Sequence, residues 1–205
     1  MDIAMDSSIT RERFFNLTEN DLVRAAQQGN LDSYNRLVLC YQDRIFAFVN
    51  RILGDEDLAA DITQDTFIRA YQNLANFRNG SFRSWLYQIA KNASFDELRR
   101  RKKHILVSID AEDDDEEDFS LLAFISSDEP SPEQAYERHE LSQTIQKALD
   151  CLTPDQRAVI VLVDIQELDY QEAAEALGIN IGTVKSRVAR GRQQLREILF
   201  ESNKN

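Results

Sequence analysis

Between Asn76 and Asn92 the chain places four aromatics, Phe77, Phe82, Trp85 and Tyr87, among three cations, Arg78, Arg83 and Lys91. A base stacks on an aromatic face and a phosphate is drawn to a cation, so this mixture suits single-stranded nucleic acid. Aromatics at helical spacing also build cores. On pattern alone Trp85 reads as core, while Phe77 and Phe82 stand open to either use. A second candidate lies near the other end. Tyr170–Val188 has the layout of a helix-turn-helix: a small Ala174 where helices cross, Gly178 at a helix end, and Ala173, Leu177, Ile179, Val184 and Val188 as shared core. Lys185, Ser186, Ala189 and Arg190 then fall on the face away from Val184 and Val188, as a helix entering a major groove requires. Gly178–Arg196 carries five bases and no acid, which a hairpin with merely a solvated basic face does not need.

Other chemistries lack their residues. Asp110–Asp118 holds eight acids in nine positions, yet Asp113, Asp115 and Glu117 come without the turn glycine of an EF-hand loop. His104 and His139 stand alone and read as surface residues. Cys40 and Cys151 match no metal or redox spacing and are expected to be buried thiols in a reducing compartment. There is no glycine-rich phosphate loop, His/Cys cluster or Ser-His-Asp set, so an enzyme such as a metal-dependent nuclease is excluded. No catalytic residue, metal, cofactor or small-molecule substrate is expected.

These residues need helices to position them. With six Gly and three Pro in 205 residues, and 42% hydrophobic, the composition suits a helical globular protein. The longest apolar run, Ala158–Val163, is far too short to span a bilayer, and the N-terminus lacks the layout of a signal peptide, so the protein is expected in the cytoplasm without membrane insertion. The fold class is all-α, with two small helical domains. One covers 17–103, after an N-terminal tail at 1–16; it has Thr18 or Asn20 as a first cap, a long helix through 31–52, a third carrying Leu58–Leu74, and a last one capped by Ser81 or Ser84. The other covers 135–200, before a tail at 201–205. Its helices are expected near 135–150, 154–166 (Thr153 as cap, Pro154 first), 170–177 and 181–199. Self-repulsion and Pro130 and Pro132 make 104–134 an acidic flexible linker.

Charge segregates along this frame. The net charge is −12, but 110–140 alone contributes −12, leaving 23 bases and 23 acids elsewhere. Arg69–Lys103 has nine bases against Asp96 and Glu97, whereas Asp55, Glu56, Asp57, Asp61 and Asp65 have no base among them. Two basic surfaces and a separate acidic face follow.

The stretch Asp55–Phe67, then Phe77, Phe82-Arg83-Ser84-Trp85-Leu86, Ile89-Ala90, Asn92, Asp96 and Arg99-Arg100, resembles the region 2 domain of bacterial extracytoplasmic-function (ECF) sigma factors. Leu152–Arg157 and Gly182–Arg187 resemble region 4 of the same family. The resemblance covers 15–103 and 135–200 in the family's order. It implies a dissociable RNA polymerase subunit that reads promoters. Region 2 would recognise and melt the −10 element through Phe77, Asn79, Ser81, Phe82, Arg83, Trp85, Lys91, Asn92 and Arg99. Region 4 would read the −35 duplex through Thr183, Lys185, Ser186, Arg187, Ala189, Arg190 and Arg192. Asp57, Asp61, Gln64, Asp65 and Phe67 would dock on the β′ clamp helices of the polymerase core, and region 4 on the β flap. The implied partners are thus core polymerase, promoter DNA and an anti-sigma factor. That inhibitor is expected to cover apolar faces left partly exposed at Val159–Val163 and on the Asp55–Phe67 helix. The acidic run is expected to occupy a basic channel of the polymerase as a phosphate mimic and, in the free protein, to dock on Arg99–Lys103 and screen DNA-binding surface. The alternative function is a helix-turn-helix regulator that never replaces sigma; it would share 170–196 but has no use for the aromatic-basic region 77–92.

Overall fold

A computed structural model describes residues 18–78, 80–108 and 132–202, with side chains across 18–78, 80–103 and 140–200. Every element among them is helical: α1 (Glu19–Gln27), α2 (Leu31–Leu53), α3 (Glu56–Asn73), α4 (Phe82–Ser108), α5 (Pro132–Asp150), α6 (Pro154–Ile160), α7 (Tyr170–Leu177) and α8 (Ile181–Ser202). Asn79, the acidic run Asp110–Asp118, and the side chains of His104 and His139 lie outside the described residues.

Local chemistry sets the helix boundaries. Thr18, Thr153 and Asp169 each cap a first turn, and in all three the N3 side chain (Asp21, Gln156, Glu172) reaches back to the cap backbone. Asn30 and Asp55 cap α2 and α3 through Ser33 N at 2.9 Å and Leu58 N at 2.9 Å. Ser81, not Ser84, caps α4, its Oγ accepting from Ser84 N at 3.2 Å. Gly54 and Gly178 end α2 and α7 at φ 68° and 66°, a region only glycine enters without steric cost.

In the first half α2 is the central rod. Leu37, Ile45, Phe48, Val49 and Ile52 along it are at most 1% exposed, and α1, α3 and α4 pack around them. Phe48 meets Tyr87 of α4 edge-on at 5.3 Å between centroids. In the second half α6, α7 and α8 surround Val159, Ile160, Ala173, Leu177, Val184 and Val188. The helix expected over 154–166 forms as α6 and a widened last turn: after Ile160 the backbone opens into a π-turn over Val161–Ile165, where Gln166 N reaches Val161 O at 2.9 Å. The widened turn carries the chain to Glu167 at φ 56° and into α7.

Two expectations are corrected here. Cys40 and Cys151 are exposed, because Cys40 falls on the outer face of α2 and Cys151 follows the end of α5. Val159–Leu162 present no free face: they are 0–2% exposed and Val163 is half-buried. The reason is that buried residues of both halves join in one contiguous apolar cluster. Each half alone is small for an independent core, and closure extends it.

α8 crosses α6 so closely that a Cβ on Gly191 would lie 2.8 Å from Ile160 Cγ1. Alanine is the better helix former by about 1 kcal/mol, but overpacking a filled core costs about 1–3 kcal/mol. Gly191→Ala is therefore expected to lower the urea midpoint with an unchanged slope, a net loss of about 1 kcal/mol.

Candidate nucleic-acid interface

The helix-turn-helix forms as its residues dictate. Gly178 N–H bonds Glu175 O, Ile179 N–H bonds Ala174 O at 3.1 Å, and Asn180 Oδ1 accepts from Thr183 N at 2.8 Å to start α8. Ala174, 5% exposed, allows the crossing. Val184 and Val188 point inward, leaving Lys185, Ser186, Ala189 and Arg190 exposed on one outer face. The nominated duplex readers then separate by environment. Lys185 and Arg190 make no ion pair with a described residue. Arg187 is paired with Asp155 at 3.0 Å, and Arg192 holds Asp164 with two hydrogen bonds of 2.5 and 3.2 Å. That bonding to Asp164 raises the guanidinium's affinity for its proton further. Thr183 is half-buried and donates to Asn180 Oδ1 at 3.0 Å, and Ser186 Oγ donates to Thr183 O at 3.0 Å.

The aromatic-basic surface is built by the turn between α3 and α4. Gln27 of α1 fixes it, donating to Leu74 O at 3.0 Å and Phe77 O at 2.6 Å, a positioning contact across the fold that no local pattern announces. Phe77, Phe82 and Trp85 form a three-ring cluster with centroids 5.0–5.8 Å apart. Within it Phe82 is 1% exposed and packs edge-on against Tyr41, so it is core and offers no face to a base. Phe77 and Trp85 are half-buried and keep accessible ring surface. Of the two uses open to Phe82 the structure shows the core one, so its place in the −10 set is corrected. Trp85, read as core on pattern and also named for the −10 element, packs on the core yet keeps part of its ring accessible. The phase of α4, started by Ser81, turns Phe82 inward.

Beside these rings lies a crevice of about 380 Å³ lined by Arg69, Asn73, Asn76, Phe77, Trp85, Ile89 and Asn92. Arg69, Asn73, Asn76 and Ile89 were not among the sequence candidates; Arg69 and Asn73 stand one helical turn apart at the end of α3, the only signal they gave. Arg69 is paired with Asp65 at 2.6 Å. Lys91 sits 5.2 Å above the Phe95 ring and 3.3 Å from Asn92 Oδ1. Arg99 is bonded to Asp96, and Ser81 is half-buried beside Gly80. Arg83 turns away from this crevice, donating to Gln166 O and lying 3.8 Å from Glu172.

The acidic face of α3 also divides. Asp57, Gln64 and Phe67 line a largely apolar groove of about 900 Å³ between α2 and α3, with Tyr34, Val38, Phe46, Ile68 and Tyr71. Asp61 and Asp65 look the other way, into a crevice shared with Asp96, Glu97 and Arg100. Phe67 is 8% exposed and forms the floor; its carbonyl accepts from Tyr34 Oη at 2.5 Å, and burial pushes that phenol up to about 12. Asp55 at the head of α3 is pulled upward by burial but further down by Leu58 N–H and by Arg101 at 2.7 Å, so it stays below the usual carboxylate range.

Comparison with known proteins now bears on this geometry. The Sigma-70 region 2 profile matches 37–104 and the Sigma-70 region 4 profile matches 142–195. The chain is 39% identical to the ECF RNA polymerase sigma factor SigW of Bacillus subtilis over 86% of its own length and 94% of the relative's. It is 38% identical to ECF sigma factor SigE of Mycolicibacterium smegmatis over 84% of its length, but spans only 63% of that relative. Among solved structures it is similar to CnrH in complex with the cytosolic domain of CnrY (27% identity, TM-score 0.64, 88% of this chain and 96% of that one). It is similar also to the sigma factor RpoE in complex with the anti-sigma factor NepR from Bartonella quintana (28% identity, TM-score 0.63, 81% and 96%). Both halves match in the same order, over nearly the whole of a 39% identical relative, and the chain belongs to the ECF sigma factors of RNA polymerase.

Proposed function

We propose that the two surfaces divide promoter reading between them, working in the cytoplasm as a specificity subunit with no chemistry of its own. α8 lies in the major groove of the −35 duplex. Lys185, Ser186, Ala189 and Arg190 meet base edges, while Arg187 and Arg192 exchange Asp155 and Asp164 for backbone phosphates. The −10 strand passes over Phe77 and Trp85, and a base turned out of the stack enters the crevice between Asn76 and Asn92. Arg83, Lys91 and Arg99 take its phosphates, with Ser81 along the same path.

The β′ clamp helices of core polymerase seat in the groove of Asp57, Gln64 and Phe67, with Asp61 and Asp65 on the flank; the second half meets the β flap. A cationic amphipathic helix fits this groove, because its floor is apolar and its rim carries Asp43, Glu56 and Asp57. An anti-sigma factor is expected to compete for the same face, since one similar structure is of a sigma factor bound to an anti-sigma factor. One observation carries the reading over that of a stand-alone duplex-binding regulator. Phe77 and Trp85 stay accessible beside a crevice of about 380 Å³ lined by asparagines, a feature duplex reading does not need.

Two measurements check the assignment. In holoenzyme, Lys185→Ala with Ser186→Ala is expected to change which −35 sequence is selected from a promoter library. Arg192→Ala should instead weaken all promoters evenly and reduce the salt slope by about 0.9. Base–aromatic stacking is worth about 1–3 kcal/mol, so Phe77→Ala is expected to cut permanganate-detected opening by about tenfold or more while leaving initial binding near normal. Normal opening by Phe77→Ala would remove the ring from the strand's path.

A further inference from the structure

Gln27, the last residue of α1, holds the turn that carries Phe77, although the two lie 50 residues apart and Gln27 does not line the crevice itself. Its side-chain amide donates to Leu74 O at 3.0 Å and to Phe77 O at 2.6 Å. A primary amide carries two N–H groups on one nitrogen, and here they reach the two ends of one short turn. Both partners are carbonyl oxygens, so the nitrogen of the amide and not its oxygen faces the turn. Leu74 O also accepts from Phe77 N–H at 3.1 Å, so backbone and side chain close the turn together.

The donor stands on a rigid post. Leu22, Val23 and Ala26 of α1 are buried, and the helix packs on α2. The Thr18–Asp21 capping box fixes its first turn, and Tyr41 Oη of α2 donates to Glu19. Gly29 at φ 90° and the Asn30 cap then lead directly into α2. The acceptor side is held far less by packing. Leu74 is 2% exposed and anchors the entry to the turn, but Ala75, Asn76 and Arg78 are exposed and Phe77 is only half-buried. What places Asn76 and Phe77 is thus largely the reach of Gln27 across from α1.

These two residues are the turn's contribution to the crevice of about 380 Å³, which Trp85, Ile89 and Asn92 of α4 complete. They also border a smaller crevice of about 250 Å³ shared with Trp85 and Ser84. Hydrogen bonds to a base edge weaken steeply with angle, and selective sites hold their groups to within about 0.5 Å. A loosened turn would leave α4 in place and move only the wall that Asn76 and Phe77 supply.

We propose that Gln27 is a specificity-determining positioning residue: by clamping the Leu74 and Phe77 carbonyls it sets which base the crevice accepts at one −10 position, without touching that base. This role rests on the assignment of the −10 strand to the Phe77–Trp85 surface. Gln27 is exposed, so water replaces its bonds to the two carbonyls when they are lost, and the fold gives up little. The placement of Phe77 is what changes.

The test uses holoenzyme and a promoter library randomised through the −10 and −35 elements, each promoter tagged by a transcribed barcode. Gln27→Glu keeps the shape of the side chain but replaces both donors by acceptors. Gln27→Lys restores a donor of similar reach, and its added charge acts evenly across sequences. Gln28→Glu, one residue on and also exposed, is the charge-matched control. Gln27→Glu is expected to lower the preference for the favoured base at one −10 position by about three- to tenfold. Its −35 preference and urea midpoint should match the parent, Gln27→Lys should recover most of the loss, and Gln28→Glu should behave as the parent. In a Phe77→Ala background Gln27→Glu should add little, because it acts through the placement of the ring.

The proposal is overturned if Gln27→Glu keeps the parent's −10 preference, or if Gln27→Lys is impaired equally. It is overturned also if the loss spreads evenly over both elements with a lower urea midpoint, the mark of a merely structural contact. Should any of these occur while Phe77→Ala still impairs opening, only the role of Gln27 falls. If Phe77→Ala also opens promoters with the parent's −10 preference, the strand assignment falls with it.

Discussion

Competition between the chain's own carboxylates and the phosphates of nucleic acid governs much of this structure. A protein of net charge −12 has to present cationic surfaces, and it does so by pairing their arginines internally. Arg69 holds Asp65, Arg99 holds Asp96, Arg100 holds Glu97, Arg187 holds Asp155 and Arg192 holds Asp164. These pairs are largely exposed, and such pairs contribute only about 0–1 kcal/mol each. A polyanion can displace them at little cost in fold stability. The cations are thus held in extended, ordered positions without being committed. Lys185 and Arg190 face outward on α8 without such a partner among the described residues.

Structural arginines behave differently, and the contrast separates scaffold from surface. Arg157 and Arg51 are half-buried and bond backbone carbonyls of the opposite half as well as side chains. Burial lowers the affinity of each guanidinium for its proton, which measures how far it has been taken out of water. Ile52 O lies in the last turn of α2, where carbonyls lack a helical partner. Arg157 supplies one from 105 residues further along the chain.

Much of this was legible in the residues, because it is local. Thr153 with Pro154, Asp55, Gly54 and Gly178 mark helix ends by chemistry that acts within four residues. The alternation of Val184 and Val188 with Lys185 and Arg190 sets the orientation of α8 once the helix exists. What escaped is set by partners distant in sequence. Phe82 and Phe77 are equivalent by type, and only Tyr41 and the helix phase make one core and the other surface. Arg83 reads as a phosphate ligand and in this structure also binds the turn at Gln166, 83 residues away. The π-turn after Ile160 is invisible to a period-3.6 reading, since its apolar residues stay buried by widening the helix rather than continuing it. Asp57 and Asp61 look like one acidic stripe until the groove between α2 and α3 takes one and leaves the other.

The strength of the junction between the halves follows from where its bonds lie. The outer face of α8 is exposed, and on α4 the junction engages Arg83 and Tyr87 while Phe77 and Trp85 keep accessible ring surface. The covering bonds are largely polar and end on groups that water can also satisfy, which keeps the net cost of separating each small. The apolar cluster shared by the halves opposes that separation, and its loss has to be offset by something that grips both halves. The junction is thus held by an apolar cluster within and by displaceable polar bonds at its rim.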